Sequence, residues 1–176
     1  MPITRLNHAV LYVRDADRSA GFYSGVLGFR RLPMQFRGAA FLQAPGSTND
    51  HDLGLFSVGQ DAGPSAAGRQ SVGLYHLAWE VDTLDELERL AGVLSDRGAL
   101  VGASDHGTTK SLYGKDPDGI EFEIAWIVPA DLLDDAARSH KGVLPLDLPA
   151  EKQRYGAATR GGVGISVPAA PEGAAP

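Results

Sequence analysis

Leu74-Tyr75-His76-Leu77-Ala78-Trp79-Glu80-Val81 decides the fold, because it repeats an earlier stretch of the chain, Leu6-Asn7-His8-Ala9-Val10-Leu11-Tyr12-Val13. Both read as strands, both carry a histidine at the third position, and each is followed by an acidic stretch that starts a helix. With His8 laid on His76, Val13 falls on Val81, and a one-residue slip then lays Gly25-Val26-Leu27 on Gly92-Val93-Leu94. The chain therefore reads as an internal duplication.

In the first copy, residues 15–27 put Ala20, Tyr23, Val26 and Leu27 on one helical stripe, and Gly28 is a stop signal. In the second, Thr83 caps a helix whose apolar positions are Leu84, Leu87, Leu90, Ala91 and Leu94, ending at Gly98. Three short strand-like runs follow each helix: 29–32, 39–43 and 53–58 in the first copy, 100–102, 111–114 and 120–128 in the second. The expected class is α+β, with one βαβββ module over 1–58 and another over 74–128. Residues 59–73, rich in Gly, Ser and Ala, read as the linker. Over 129–155 the pattern predicts a short helix (130–140) and an extended arm (143–155). The Gly/Ala/Pro-rich stretch 156–176 has little to bury and is expected to be a flexible tail.

A chain of 176 residues that is 43% hydrophobic can bury a real core. Sixteen basic residues against 22 acidic ones, with no block of like charge, argue against a nucleic-acid or anionic-membrane surface. Small molecules are the expected partners. No apolar run is long enough to span a bilayer and the N-terminus lacks the pattern of a signal peptide, so the expected location is the cytoplasm. The absence of cysteine leaves His, Asp and Glu as the available metal ligands.

Two equivalent histidines and a later carboxylate suggest a metal site with open coordination positions. In Asp116-Pro117-Asp118-Gly119-Ile120-Glu121-Phe122-Glu123-Ile124, strand alternation points Glu121 and Glu123 the same way, and periodicity does not choose between them. The two paired modules, the segment Phe22-Tyr23 with Leu27-Gly28-Phe29, and the Asp-Pro-Asp-Gly-x-x-x-Glu signature resemble the vicinal oxygen chelate superfamily over roughly residues 3–128. The resemblance implies that the modules form a curved mixed sheet around a central metal site, with Glu123, four residues after the glycine, joining His8 and His76 as ligands.

Ser104-Asp105-His106-Gly107 and Ser111-Leu112-Tyr113, ahead of the acidic turn, more narrowly resemble single-domain relatives of the extradiol catechol 2,3-dioxygenases. That likeness implies substrate contacts from His106 and Tyr113 and an acid–base role for His51. It further implies a catechol-like aromatic substrate, O2, and Fe(II), with Mn(II) or another divalent metal as the alternative. The repeat bears on the ligand count, since the His8 to His76 offset places Leu55, with Gly54 beside it, where a fourth carboxylate would stand. Asp52 would reach that place only with a strand slip that reverses its face. A three-ligand site favours Fe(II) chemistry over the Zn or Ni chemistry of a lyase.

Two rival functions share the fold: a glyoxalase-like metal-dependent lyase or isomerase, and a non-catalytic module that sequesters aromatic drugs. Asp116 and Asp118 are expected to build a turn and Glu121 to be solvated. Lys110 and Arg69 are cations that could meet a substrate carboxylate, although such residues usually face water. Trp79 and Trp126 suit core packing at least as well as a pocket wall. A homodimer is compatible with open sheets of this kind.

Overall fold

The computed structural model describes residues 2–3, 5–34, 36–67, 70–140 and 142–163. The chain separates into two compact units, one made of residues 1–75 with 115–120, the other of 76–114 with 121–176.

In the first unit, strands β1 (Ala9–Val13), β2 (Arg30–Arg31), β3 (Ala39–Gln43) and β4 (Leu53–Ser57) form a sheet of order β1-β4-β3-β2. β1 runs parallel to β4, and the other pairings are antiparallel. Helix α1 (Ala16–Leu27) lies on β3 and β4. It starts where the Asp15 carboxylate accepts the amides of Asp17 and Arg18. It stops at Gly28, whose φ of 77° favours a residue without a Cβ. The predicted stripe is buried at Ala20, Tyr23 and Val26.

This unit also takes in the acidic turn. The Asp116 carboxylate accepts the amides of Asp118 and Ile120, each at 2.9 Å, so the turn is built as expected from its aspartates. Asp118 does more, accepting both the Arg14 amide (3.0 Å) and its guanidinium (2.9 Å). The Tyr23 hydroxyl donates to Asp116 at 3.3 Å. Burial pushes the Asp116 carboxyl above the ordinary carboxylate range, and burial together with that neighbouring charge pushes the Tyr23 phenol well up.

The second unit repeats the plan. Strands β5 (Leu77–Glu80), β6 (Leu100–Asp105), β7 (Thr109–Lys115) and β8 (Glu121–Ile127) are ordered β5-β8-β7-β6, with β5 parallel to β8. Helix α2 (Leu84–Asp96) is capped by Thr83 and buries Leu84, Leu87, Leu90 and Leu94, each contributing roughly 1.5–3 kcal/mol. Both sheets are mixed and open, and together with the helices give the expected α+β class.

Three local expectations change. His8 and His76 lie just outside their strands, one residue ahead of β1 and β5, where the backbone leads into the sheet. The stretch 130–140 splits into a 3-10 turn (Ala130–Leu132) and helix α3 (Asp135–Ser139). The arm expected over 143–155 is instead largely helix α4 (Leu148–Tyr155), capped by Asp147 with Pro149 in its first turn. Beyond α4, residues 156–163 are fixed by backbone bonds from Gly161 to Asp82 and from Gly162 to Ile127. Residues 164–176 of the expected flexible tail, and Arg69, lie outside the described residues. No helix among the described residues is long and apolar enough to cross a membrane.

Candidate metal and substrate site

In the second unit the strand register brings the singled-out residues onto one sheet face. Ala78 pairs with Glu123 across β5 and β8, so His76, two residues before Ala78, projects to the same side as the carboxylate. His76 Nε2 and Glu123 Oε2 are 3.0 Å apart. The Ser111 hydroxyl donates to the other carboxylate oxygen at 2.5 Å and fixes its orientation. Tyr113, two residues along β7 from Ser111, puts its ring 5.9 Å from that of His76.

The next group follows directly. The Tyr113 hydroxyl lies 2.8 Å from His106 Nε2, and Ser104 Oγ reaches both, at 2.8 Å from the imidazole and 3.1 Å from the phenol oxygen. Ser104 pairs with Ser111 across β6 and β7, and Gly102 stands opposite Tyr113. His106 and Tyr113 are thus brought into one hydrogen-bonded group. The sequence reading assigned nothing to Ser104 or Ser111. Both could have been found by stepping back two residues along a strand from His106 and from Tyr113.

The first unit gathers His8 and His51. Their ring centroids are 4.4 Å apart, and His51 is met edge-on by Phe41 at 5.2 Å. Phe41 in turn touches Phe56 and Phe36 at 5.9 and 5.6 Å, which makes a run of aromatic rings ending at the two histidines. Asn7 Oδ1 lies 2.7 Å from His8 Nδ1, where it can accept the imidazole N–H, and the Asn49 side-chain amide donates to the Asn7 backbone carbonyl at 2.7 Å.

The register also speaks to a fourth ligand. Val10 pairs with Gly54 as Ala78 pairs with Glu123, so a glycine occupies the position equivalent to the glutamate. Asp52 is already committed: its carboxylate accepts the Ala44 amide, the Ser47 hydroxyl and the Asn49 amide at 2.7–2.8 Å.

Other candidates take structural roles. Lys110 is fully buried between Asp105 and Glu151, on the face of β7 opposite Ser111 and Tyr113, so its charge is taken up by an internal ion triad. Trp126 is fully buried against Tyr155 and belongs to the core.

Among the described residues no group of three or more His, Asp or Glu side chains forms a ready metal cage. The His76–Glu123 pair nevertheless suits a divalent ion. Two adjacent ligands at right angles, each about 2.1 Å from a metal, stand about 3.0 Å apart. That is the spacing observed.

Residues 5–124 match the family described as the glyoxalase/bleomycin resistance protein/dioxygenase superfamily. A catechol-2,3-dioxygenase of Bacillus subtilis (strain 168) is 31% identical over 122 residues, which are 69% of this chain and 41% of that enzyme. The matched part therefore spans less than half of the relative. A glyoxylase/bleomycin resistance protein/dioxygenase domain from Frankia sp. EAN1pec superposes with a TM-score of 0.59 at 23% identity, covering 70% of this chain and 92% of that one. A mutant of the Listeria monocytogenes fosfomycin resistance protein FosX, complexed with Mn(II), gives 0.53 at 18% identity, covering 70% and 90%. Both solved structures share the fold.

Proposed function

The chain belongs to the glyoxalase/bleomycin resistance protein/dioxygenase superfamily, and we propose that within it the protein is an Fe(II)-dependent extradiol dioxygenase that opens the ring of a catechol-like aromatic diol with O2. The observation that carries this reading is the adjacency, on one sheet face, of the His76–Glu123 pair and the His106–Tyr113–Ser104 group. A paired metal-binding imidazole and carboxylate beside a paired base and phenol suit a substrate that must be both chelated and deprotonated. The B. subtilis likeness supports the same chemistry. Glycine at position 54 speaks against the four-ligand lyase alternative.

In this reading His76 and Glu123 would supply an imidazole and a carboxylate to the Fe(II). The bound ion would acidify the diol and hold it together with O2. The chain's own groups do the rest. His106 Nε2, facing the Tyr113 hydroxyl at 2.8 Å, takes the proton of a substrate hydroxyl. Tyr113 then turns its O–H to the resulting oxyanion, with Ser104 steadying both side chains. His51, whose acid–base role the resemblance implies, would return a proton during ring opening.

The direct test loads the protein anaerobically with Fe(II), adds catechol and admits O2. Stoichiometric O2 uptake with a yellow ring-opened semialdehyde supports the reading, and metal-loaded protein that leaves catechol intact refutes it. Tyr113→Phe is expected to lower kcat/KM roughly 10- to 150-fold, the worth of one hydrogen bond to an ionised oxygen. Its unfolding transition should stay where it is, and steady-state kinetics beside a thermal melt check both.

A further inference from the structure

We propose that residues 130–163, which lie beyond the stretch matched to the superfamily, are the positioning element for His106, and that they act through the buried ion triad Asp105–Lys110–Glu151. The proposal rests on the reading above only in giving His106 a substrate to meet.

The Lys110 ammonium is fully buried, 2.5 Å from Asp105 Oδ1 and 2.9 Å from Glu151 Oε2, and 5.7 Å from the centre of the Tyr155 ring. A buried ammonium is tolerated only when paired. One of its partners sits on β6 immediately before His106, and the other comes from α4. Asp105 Oδ1 also accepts the Gly107 amide at 2.7 Å, so the triad grips the residues on both sides of His106. Burial alone would raise the Asp105 pKa, but the Lys110 and Gly107 bonds outweigh it and hold the carboxyl below its ordinary range.

The backbone of the same loop is fastened from the same segment. Asp105 exchanges two bonds with Leu144, at 2.8 and 3.0 Å. Gly107 has a φ of 78°, and a Cβ there would stand 2.5 Å from His140 Cβ and 2.6 Å from the Ala137 carbonyl oxygen. The loop is therefore packed directly against 137–140. α4 is itself fixed to α2 by Lys152, which meets Asp85 at 2.7 Å and Glu88 at 2.6 Å. The imidazole of His106, held on its other side by Ser104 and Tyr113, is thus set from behind by a segment that grips the residues flanking it.

The test uses full-length protein with 13C,15N-labelled histidine. Glu151→Gln is expected to shift and broaden the His106 ring signals while leaving those of His8 and His51 in place. In the Fe(II)-loaded enzyme it should lower kcat roughly 10- to 100-fold, as small misplacements of a reacting group do, with little change in KM and with an altered pH profile. The paired variant Lys110→Met/Glu151→Leu removes two of the three charges while roughly keeping the volume, leaves Asp105 with the Gly107 amide, and should show the same His106 signature. Unmoved His106 signals in either folded variant overturn the proposal. A check on wild type needs no substitution: in native-state hydrogen exchange the Gly107 amide should open together with the amides of α4, and a Gly107 amide that exchanges far faster than α4 overturns it as well. If His106 moves as expected but wild type cleaves no catechol, the positioning role stands and the substrate reading falls.

Discussion

Glu123→Ala is expected to strip the protein of tightly bound metal and, with it, of catechol cleavage. The carboxylate faces His76 at ligand distance, and removing it takes away the 3.0 Å pairing with the imidazole. The loss should exceed the roughly 10- to 100-fold penalty usual for removing a group that merely orients a ligand. Ser111→Ala, which takes away the 2.5 Å bond to Glu123 Oε1, is expected to fall within that smaller range. Metal analysis after dialysis and turnover of the reloaded proteins measure both. Equal metal retention in wild type and Glu123→Ala would remove the glutamate from the ligand set.

The largest expected effect on stability belongs to Trp126→Ala. Trp126 is fully buried, packs at 5.5 Å on Tyr155, and donates its indole N–H to the Thr159 carbonyl at 3.2 Å. Gly161 lies so close to the indole that a Cβ there would collide with it. Truncation therefore opens a cavity under α4 and frees the backbone that follows it, at a cost of about 3–5 kcal/mol. For a chain of this length that corresponds to a fall of about 6–20 °C in melting temperature. A thermal melt followed by circular dichroism checks it, and a fall of only a degree or two would mean that the segment after α4 contributes little to the second unit.

Much of the fold was legible because the two copies carry strong local signals. Asp15 and Thr83 are caps with the right side-chain chemistry, and the leucines of α2 recur at helical spacing. α4 was missed for a physical reason. It buries only Glu151 and Tyr155, so it has no apolar stripe to read, and its signals are confined to Asp147 and Pro149 at the start. That omission explains the misreading of Lys110. A lone lysine in a strand reads as solvated until the helix that supplies Glu151 is in place.

The candidate site was legible in part. Strand alternation left Glu121 and Glu123 on one face, and the register, which pairs Glu123 with Ala78, is what puts Glu123 beside His76. His106 and Tyr113 are seven residues apart and meet because β6 and β7 pair antiparallel in a register that the sequence alone does not spell out. The same register makes Gly54 the counterpart of Glu123, one residue from the place reached by counting along the repeat.

Anaerobic titration of catechol into the Fe(II)-loaded protein tests the central claim most directly, since it asks whether the metal offers a chelating diol its open positions. The account predicts a saturable charge-transfer band at one catechol per iron, absent from Glu123→Ala and weakened in Tyr113→Phe. Iron bound stoichiometrically with no such band at saturating catechol would contradict it and move the protein toward the lyase members of the superfamily.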